Sequence, residues 1–180
     1  MDYIKLSKTV SYILRHHPEE YGITLDLAGW CQIEVLLKVL NQRGWKNLVS
    51  EDLVKMMSDA QKKRYEVQDG RIRAYYGHSM SDIIVKEACE PPQFLYHGTA
   101  HDKIELIKET GLRPMTRQYV HLSDNIALAQ IVGKRHDSCP IIIRVCAKKA
   151  WQEGICFYLG NEDTWLSDSI PPEFLELDNQ

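Results

Sequence analysis

Arginines and histidines dominate the residues of this chain that could do chemistry. Arg15-His16-His17-Pro18 closes an early helical segment, and on a 3.6-residue period Lys8, Ser11 and Arg15 share one face, with His16 beside it. Two readings fit that group: cations complementing a helix C-terminus, or donors aimed at an anion. Arg64 follows Lys62-Lys63 and opens a strand pattern, as a solvated basic turn or a nucleic-acid contact would. Tyr96-His97-Gly98-Thr99 ends a hydrophobic run, where a glycine would let a ligand approach the backbone. Arg117 and His121-Leu122-Ser123 lie on a second loop-and-strand edge. His121, between Val120 and Leu122, points away from both, either to solvent or into a cavity.

Several chemistries lack their residues. The sequence has no GxxxxGK[ST] phosphate cradle, no GxGxxG dinucleotide turn, no HExxH and no GxSxG elbow. His97 and His101 are four apart, but Gly98 and Thr99 between them are poor helix formers, so the pair has little value as a metal site. The five cysteines form no CxxC pair, and an odd number without a secretion signal fits a reducing compartment. No stretch approaches the roughly 18 apolar residues of a membrane span. A soluble, cytoplasmic protein is expected.

The elements that must position these residues read as two blocks. Leu6, Val10, Ile13 and Leu14 have helical spacing and stop at Pro18. Ile33, Leu36, Leu37 and Leu40 form a second helix with Gly44 as its cap, and a third follows Ser50. Runs 64–67 and 72–76 around Asp69-Gly70 predict a β-hairpin. Three helices and a hairpin suggest a winged-helix module. Ser79–Ala88 is expected to form one more short helix. Glu90-Pro91-Pro92-Gln93 is the best linker, since consecutive prolines exclude helix and central strand. The expected domains are therefore 1–89, a linker at 90–93, and 94–180. The second should be sheet-centred, with strands at 94–96, 119–122, 140–146 and 155–158 and helices near 103–110 and 125–132. The expected fold class is α+β.

Composition is ordinary for a globular chain of 180 residues: 44% hydrophobic and 26% charged. At roughly 150 residues per domain, one large or two small domains are open. The net charge is −3, but the segment from Glu153 onward holds seven acids and no Lys or Arg. Residues 1–152 are thus net basic, which permits a local surface for an anionic partner.

Singly these signals are weak, but in order they carry a resemblance. The sequence resembles the KptA-type RNA 2′-phosphotransferases over nearly its whole length. The matching residues are Leu6-Ser7-Lys8, Leu14-Arg15-His16 with Pro18, Gly29-Trp30, Lys63-Arg64-Tyr65 and Gly77-His78-Ser79. The match continues through Pro91 to Thr99, Arg117, Val120-His121-Leu122-Ser123, Val132-Gly133-Lys134-Arg135-His136 and Trp165-Leu166. Asp137 departs from a glycine expected after Arg-His, and Thr164 from a valine.

The resemblance implies a winged-helix lobe joined to an ADP-ribosyltransferase-like lobe, with the active site in the cleft between them. It implies transfer of an internal RNA 2′-phosphate to NAD, a co-substrate, in two steps through an ADP-ribosylated RNA. The implied products are RNA 2′-hydroxyl, nicotinamide and ADP-ribose 1″,2″-cyclic phosphate. Arg15, Arg64 and Arg117 match the family's essential arginines and His16 its acid–base or phosphate-contact histidine. His97, Gly98 and Thr99 are implied NAD contacts, with His121 and Ser123 lining the other side of that pocket. His78, Ser79 and Arg135 match further motif positions and are implied as additional contacts of the NAD site. No metal is implied, because arginines act as the charge clamp. The implied partners are RNA bearing an internal 2′-phosphate, transfer RNA being one carrier, and NAD; no membrane partner is implied, and the chain should be a monomer. Two other classes share these features: an ADP-ribosyltransferase that stops after the first step, and a non-catalytic winged-helix nucleic-acid-binding protein.

Overall fold

A computed structural model describes residues 1–60 and 62–177. The last three residues of the expected second domain lie outside the described residues. The chain divides into two compact units, Met1–Val85 and Lys86 onward. Segment 86–94, including Pro91-Pro92, falls in the second unit, where Cys89 N–H donates to the Phe157 carbonyl at 2.9 Å.

In the first unit, α1 (Tyr3–Arg15) starts at Asp2, whose side chain accepts the Lys5 N–H at 2.9 Å. Its apolar stripe of Leu6, Val10, Ile13 and Leu14 is fully buried. After the short strand β1 (Cys31–Gln32), α2 (Ile33–Gln42) buries Leu36 and Leu40. Arg43 caps it and Gly44 follows with φ +104°, while Trp45 N–H returns to the Leu40 carbonyl. In α3 (Ser50–Ser58), Asp52 accepts the Val49 N–H and so secures the first turn. Strands β2 (Tyr65–Gln68) and β3 (Arg71–Ala74) follow. Their two-residue loop is Asp69-Gly70, with φ of +50° and +71°, a turn whose twist matches the strands. The antiparallel sheet runs β1-β3-β2, and Tyr65, Ile72 and Ala74 close it over the helices.

No helix forms over Ser79–Ala88. The β-branched Ile83, Ile84 and Val85 favour extended backbone, Ile84 is buried, and Val85 N–H pairs with the Leu27 carbonyl at 2.8 Å.

The second unit is built on a six-stranded sheet. Its elements are β4 (Leu95–Thr99), α4 (Ile104–Thr110), β5 (Val120–Ser123), α5 (Ile126–Gly133), β6 (Ile141–Val145), α6 (Ala147–Gln152), β7 (Phe157–Asn161), β8 (Thr164–Ser167) and β9 (Leu175–Leu177). The order is β7-β8-β5-β4-β6-β9, antiparallel at every pairing. Leu95, Ile143, Val145, Leu122 and Phe157 form its core with Ala147 and Ala150 of α6. Two antiparallel sheets with segregated helices make the chain an α+β protein.

Candidate functional site

Each unit gathers part of the expected residue set. In the first, Arg15 is the last residue of α1 and His16 caps it, its N–H returning to the Tyr12 carbonyl at 3.1 Å. The Arg15 guanidinium donates to the Arg64 carbonyl at 3.4 Å and lies 5.7 Å from the centre of the Tyr76 ring. Arg64 stands just before β2, and its carbonyl also receives the Tyr75 N–H at 3.0 Å. Tyr65, next along, is tied to α1: its hydroxyl donates to the Ser7 carbonyl at 2.5 Å. That uses the one phenolic proton, so Ser11 Oγ, 2.6 Å away, must donate to Tyr65. The Arg15 side chain, with His16 next to it, is thereby brought to the Arg64 backbone at the start of the hairpin, while the Arg64 guanidinium itself donates to the Lys62 carbonyl at 3.4 Å.

Gly77-His78-Ser79 wraps the same helix end. Gly77 has φ +89°, and a β-carbon there would sit 3.5 Å from Arg15 Nη1. Ser79 N–H donates to the Arg15 carbonyl at 2.9 Å, and Ser79 Oγ lies 2.7 Å from His16 Nδ1. His78 is 3% exposed and packs inside the unit near Gly29, so its ring is interior rather than presented to a ligand.

The second unit holds His97, Gly98 and Thr99 on β4 and His121 and Ser123 on β5, with Tyr96 opposite Ser123 in register. His97 Nδ1 lies 2.9 Å from the His121 carbonyl, which can only accept, so Nδ1 carries the proton and Nε2 does not. Burial is the main force holding the His97 pKa below its ordinary value, and the nearby charges of His136 and Arg117 push the same way. The result is a neutral imidazole with an acceptor at Nε2, suited to a ribose hydroxyl. Arg117 Nη1 donates to His121 Nδ1 at 2.5 Å. Thr99 and Ser123 are 7% and 6% exposed and offer at most a hydroxyl edge. Arg135 is exposed in the turn after α5. This donor set fits the ribose and phosphate groups of a dinucleotide.

Gly98 serves a different purpose from the one its motif suggests. A β-carbon there would come within 2.2 Å of the Ala129 carbonyl oxygen and 3.0 Å of Gly133 Cα. The absent side chain makes room for the backbone of α5, not for a ligand. Gly133 reciprocates, since a β-carbon there would sit 2.6 Å from Pro140 and 3.2 Å from Gly98 Cα.

Sequence reasoning missed three contributors. His136 is exposed in the turn after α5, yet lies near enough for its charge to act on His97. His101, exposed as well, pairs through Nδ1 with Asp137 at 2.9 Å. Asp137 further accepts backbone N–H groups of His101 at 3.2 Å and Cys139 at 3.0 Å. Those bonds, His101's first, hold its carboxyl down at about 2. The departure from glycine at 137 was the one visible signal, and the structure makes it a clasp between the turns that follow β4 and α5.

Among the described residues, no three His, Cys, Asp or Glu side chains lie together as a metal-binding group. Nor is any helix long and apolar enough to cross a membrane.

Comparison with known proteins matches residues 2–169 to the family model described as RNA 2′-phosphotransferase, Tpt1 / KptA family. A protein of Acetivibrio thermocellus named "Probable RNA 2′-phosphotransferase" is 50% identical over 179 residues, 99% of this chain and 98% of its own. One of the same name from Bacillus thuringiensis subsp. konkukian is 50% identical over 176 residues, covering 97% and 95%. Another from Lacticaseibacillus paracasei is 42% identical over 172 residues, covering 96% and 92%.

Proposed function

The chain belongs to the Tpt1/KptA family of RNA 2′-phosphotransferases, and from that premise we propose that it is an enzyme moving an internal RNA 2′-phosphate onto NAD. The observation that carries the proposal is the grouping of Arg15, His16 and Arg64 at one end of α1. The Arg15 guanidinium, the imidazole of His16 beside it and a second arginine on the adjoining segment offer what a phosphate dianion needs: permanent charge, forked donors and one group able to move a proton.

The first unit, with its helices and Asp69-Gly70 hairpin, is read as a winged-helix RNA-binding lobe, and the second as an ADP-ribosyltransferase-like lobe that binds NAD. In the first step a 2′-phosphate oxygen attacks the anomeric carbon of the nicotinamide ribose, and nicotinamide leaves with the electron pair of its C–N bond. The phosphate is already anionic, so this step requires no base. In the second step the adjacent 2″-hydroxyl attacks phosphorus and the RNA 2′-oxygen leaves. The proton lost by the first is regained by the second, through His16. Arg15, Arg64 and Arg117 are assigned to the phosphate, where they stabilise the charge built in that transition state. His97, Thr99, His121 and Ser123 are assigned to NAD, with Arg135 as an outer contact. We assign the protein to the cytoplasm as a monomer, with transfer RNA as one carrier of its substrate.

A short RNA with one internal 2′-phosphate, incubated with and without NAD, tests this reading. NAD-dependent formation of the 2′-hydroxyl RNA and the cyclic phosphate is the expected outcome. A persistent ADP-ribosylated RNA would make the chain an ADP-ribosyltransferase. No turnover with retained RNA binding would leave a binding protein.

A further inference from the structure

We infer that Ser79 is the positioning residue of His16. Two bonds run from this one residue to two consecutive residues of α1's end: Ser79 N–H to the Arg15 carbonyl at 2.9 Å, and Ser79 Oγ to His16 Nδ1 at 2.7 Å. The first fixes where the serine sits along the helix axis. The second then fixes the imidazole about both of its side-chain torsions, since a ring held at Nδ1 can no longer turn freely.

The segment is shaped for this. Gly77 takes φ +89°, a conformation that other residues resist, and passes beneath the Arg15 guanidinium, 3.5 Å from where a β-carbon would be. Tyr76, just before it, places its ring 5.7 Å from Arg15 and 5.5 Å from the Lys62 ammonium. Residues 76–79 therefore cradle Arg15 and His16 together. The three-residue motif Gly77-His78-Ser79 divides its labour: the glycine admits the guanidinium, His78 is buried as packing, and the serine holds the imidazole.

A histidine that exchanges protons must offer a chosen nitrogen in a chosen orientation, and a hydrogen bond at the other nitrogen is the usual means. With Nδ1 engaged by Ser79, Nε2 becomes the nitrogen through which His16 would exchange a proton with substrate. This inference rests on the proposal that His16 acts on the RNA phosphate. It moves Ser79 from the NAD contacts, where its motif placed it, to the phosphate half of the reaction.

Ser79→Ala and Ser79→Thr test it, with folding of each confirmed by its thermal transition. Ring-nitrogen NMR of His16 reads the contact without any reaction. The wild type and the threonine variant should share one Nδ1 environment, and the alanine variant should lose it. With 2′-phosphorylated RNA, alanine should lower kcat about 10-fold or more while leaving the KM for NAD within about two-fold, the scale expected of losing a group that orients a ligand. Its pH–rate profile should shift, and threonine should restore most of the rate. Unchanged His16 signals in the alanine variant would overturn the inference, as would a shifted signal with wild-type kcat. A phosphoserine adduct at Ser79 during turnover would also overturn it, by making the serine a nucleophile. Should the wild-type protein turn over no 2′-phosphorylated RNA, the proposed function fails, while the NMR comparison still decides whether Ser79 holds the ring.

Discussion

Arg117 Nη1 donates a hydrogen bond to Nδ1 of His121, four residues on, at 2.5 Å. A guanidinium cannot accept, so His121 Nδ1 must be the unprotonated nitrogen, and a neutral ring then carries its proton on Nε2. The His121 backbone carbonyl in turn accepts the hydrogen bond from His97 Nδ1–H, so both histidines have their tautomers set by contacts around β5. The neutral imidazole in that pair carries no charge to cancel that of the guanidinium.

Arg117→Ala should cut turnover of 2′-phosphorylated RNA by about 100-fold, the scale of losing one preorganised charged donor. The side chain is exposed, so the thermal transition should stay where it is. Steady-state kinetics check this, and a rate near that of the wild type would remove Arg117 from the site.

Gly98→Ala should damage the fold before it touches the pocket. Its β-carbon would lie 2.2 Å from the Ala129 carbonyl oxygen, and a backbone atom in a helix packed on the sheet cannot move aside cheaply. A loss of about 3 kcal/mol in urea unfolding is expected. A variant as stable as the wild type that fails to bind NAD in calorimetry would restore the ligand reading of this glycine.

Acid should weaken the clasp at Asp137. Its carboxyl sits at about 2 in the folded chain against an ordinary 3.8, so the folded state binds its proton less readily than the unfolded state. The stabilisation is complete above the ordinary value and disappears as pH falls through about 2. Asp137→Asn should therefore be less stable than the wild type at pH 6, with the gap narrowing steadily below pH 3.8. Urea unfolding across that range reads it, and a gap independent of pH would assign the effect to the amide's geometry.

Arg64→Lys should slow the second chemical step more than the first. In the proposed reaction the nucleophile of step one is already charged, whereas step two would build charge on phosphorus and need the forked donor that lysine lacks. Quenched single-turnover reactions with end-labelled RNA should show an ADP-ribosylated band that the wild type does not accumulate. Lost activity with no such band at any time would mean that Arg64 acts in binding the phosphate.

Local rules carried much of the architecture. The stripe of α1, the glycine that follows the cap of α2 and the Asp-Gly hairpin are all set by contacts within a few residues, and each stands where periodicity and turn chemistry put it. Ser79–Ala88 failed because its extended path is dictated by Leu27, far away in sequence. Strand β9 is too short to announce itself, and α6 is a six-residue helix buried by its alanines rather than by an amphipathic stripe. Candidate residues were legible as types in motifs, but their roles were not. Nothing local distinguishes a glycine that admits a ligand from Gly98, which admits a helix. Nor does spacing reveal that Ser79 would meet His16 across 63 positions.

The Tyr65 hydroxyl, pinned by Ser7 and Ser11, has a thermodynamic consequence for its neighbour. Fixing one residue's backbone costs about 1–2 kcal/mol, and immobilising a long side chain at an interface about 0.5–1.5 kcal/mol more. Between the Tyr75 N–H at its own carbonyl and the anchored ring of the next residue, the Arg64 backbone has already lost its freedom when the chain folds. In its proposed role, capturing a phosphate would then require only the side chain to settle, so the entropic penalty would fall on folding rather than on each encounter with RNA.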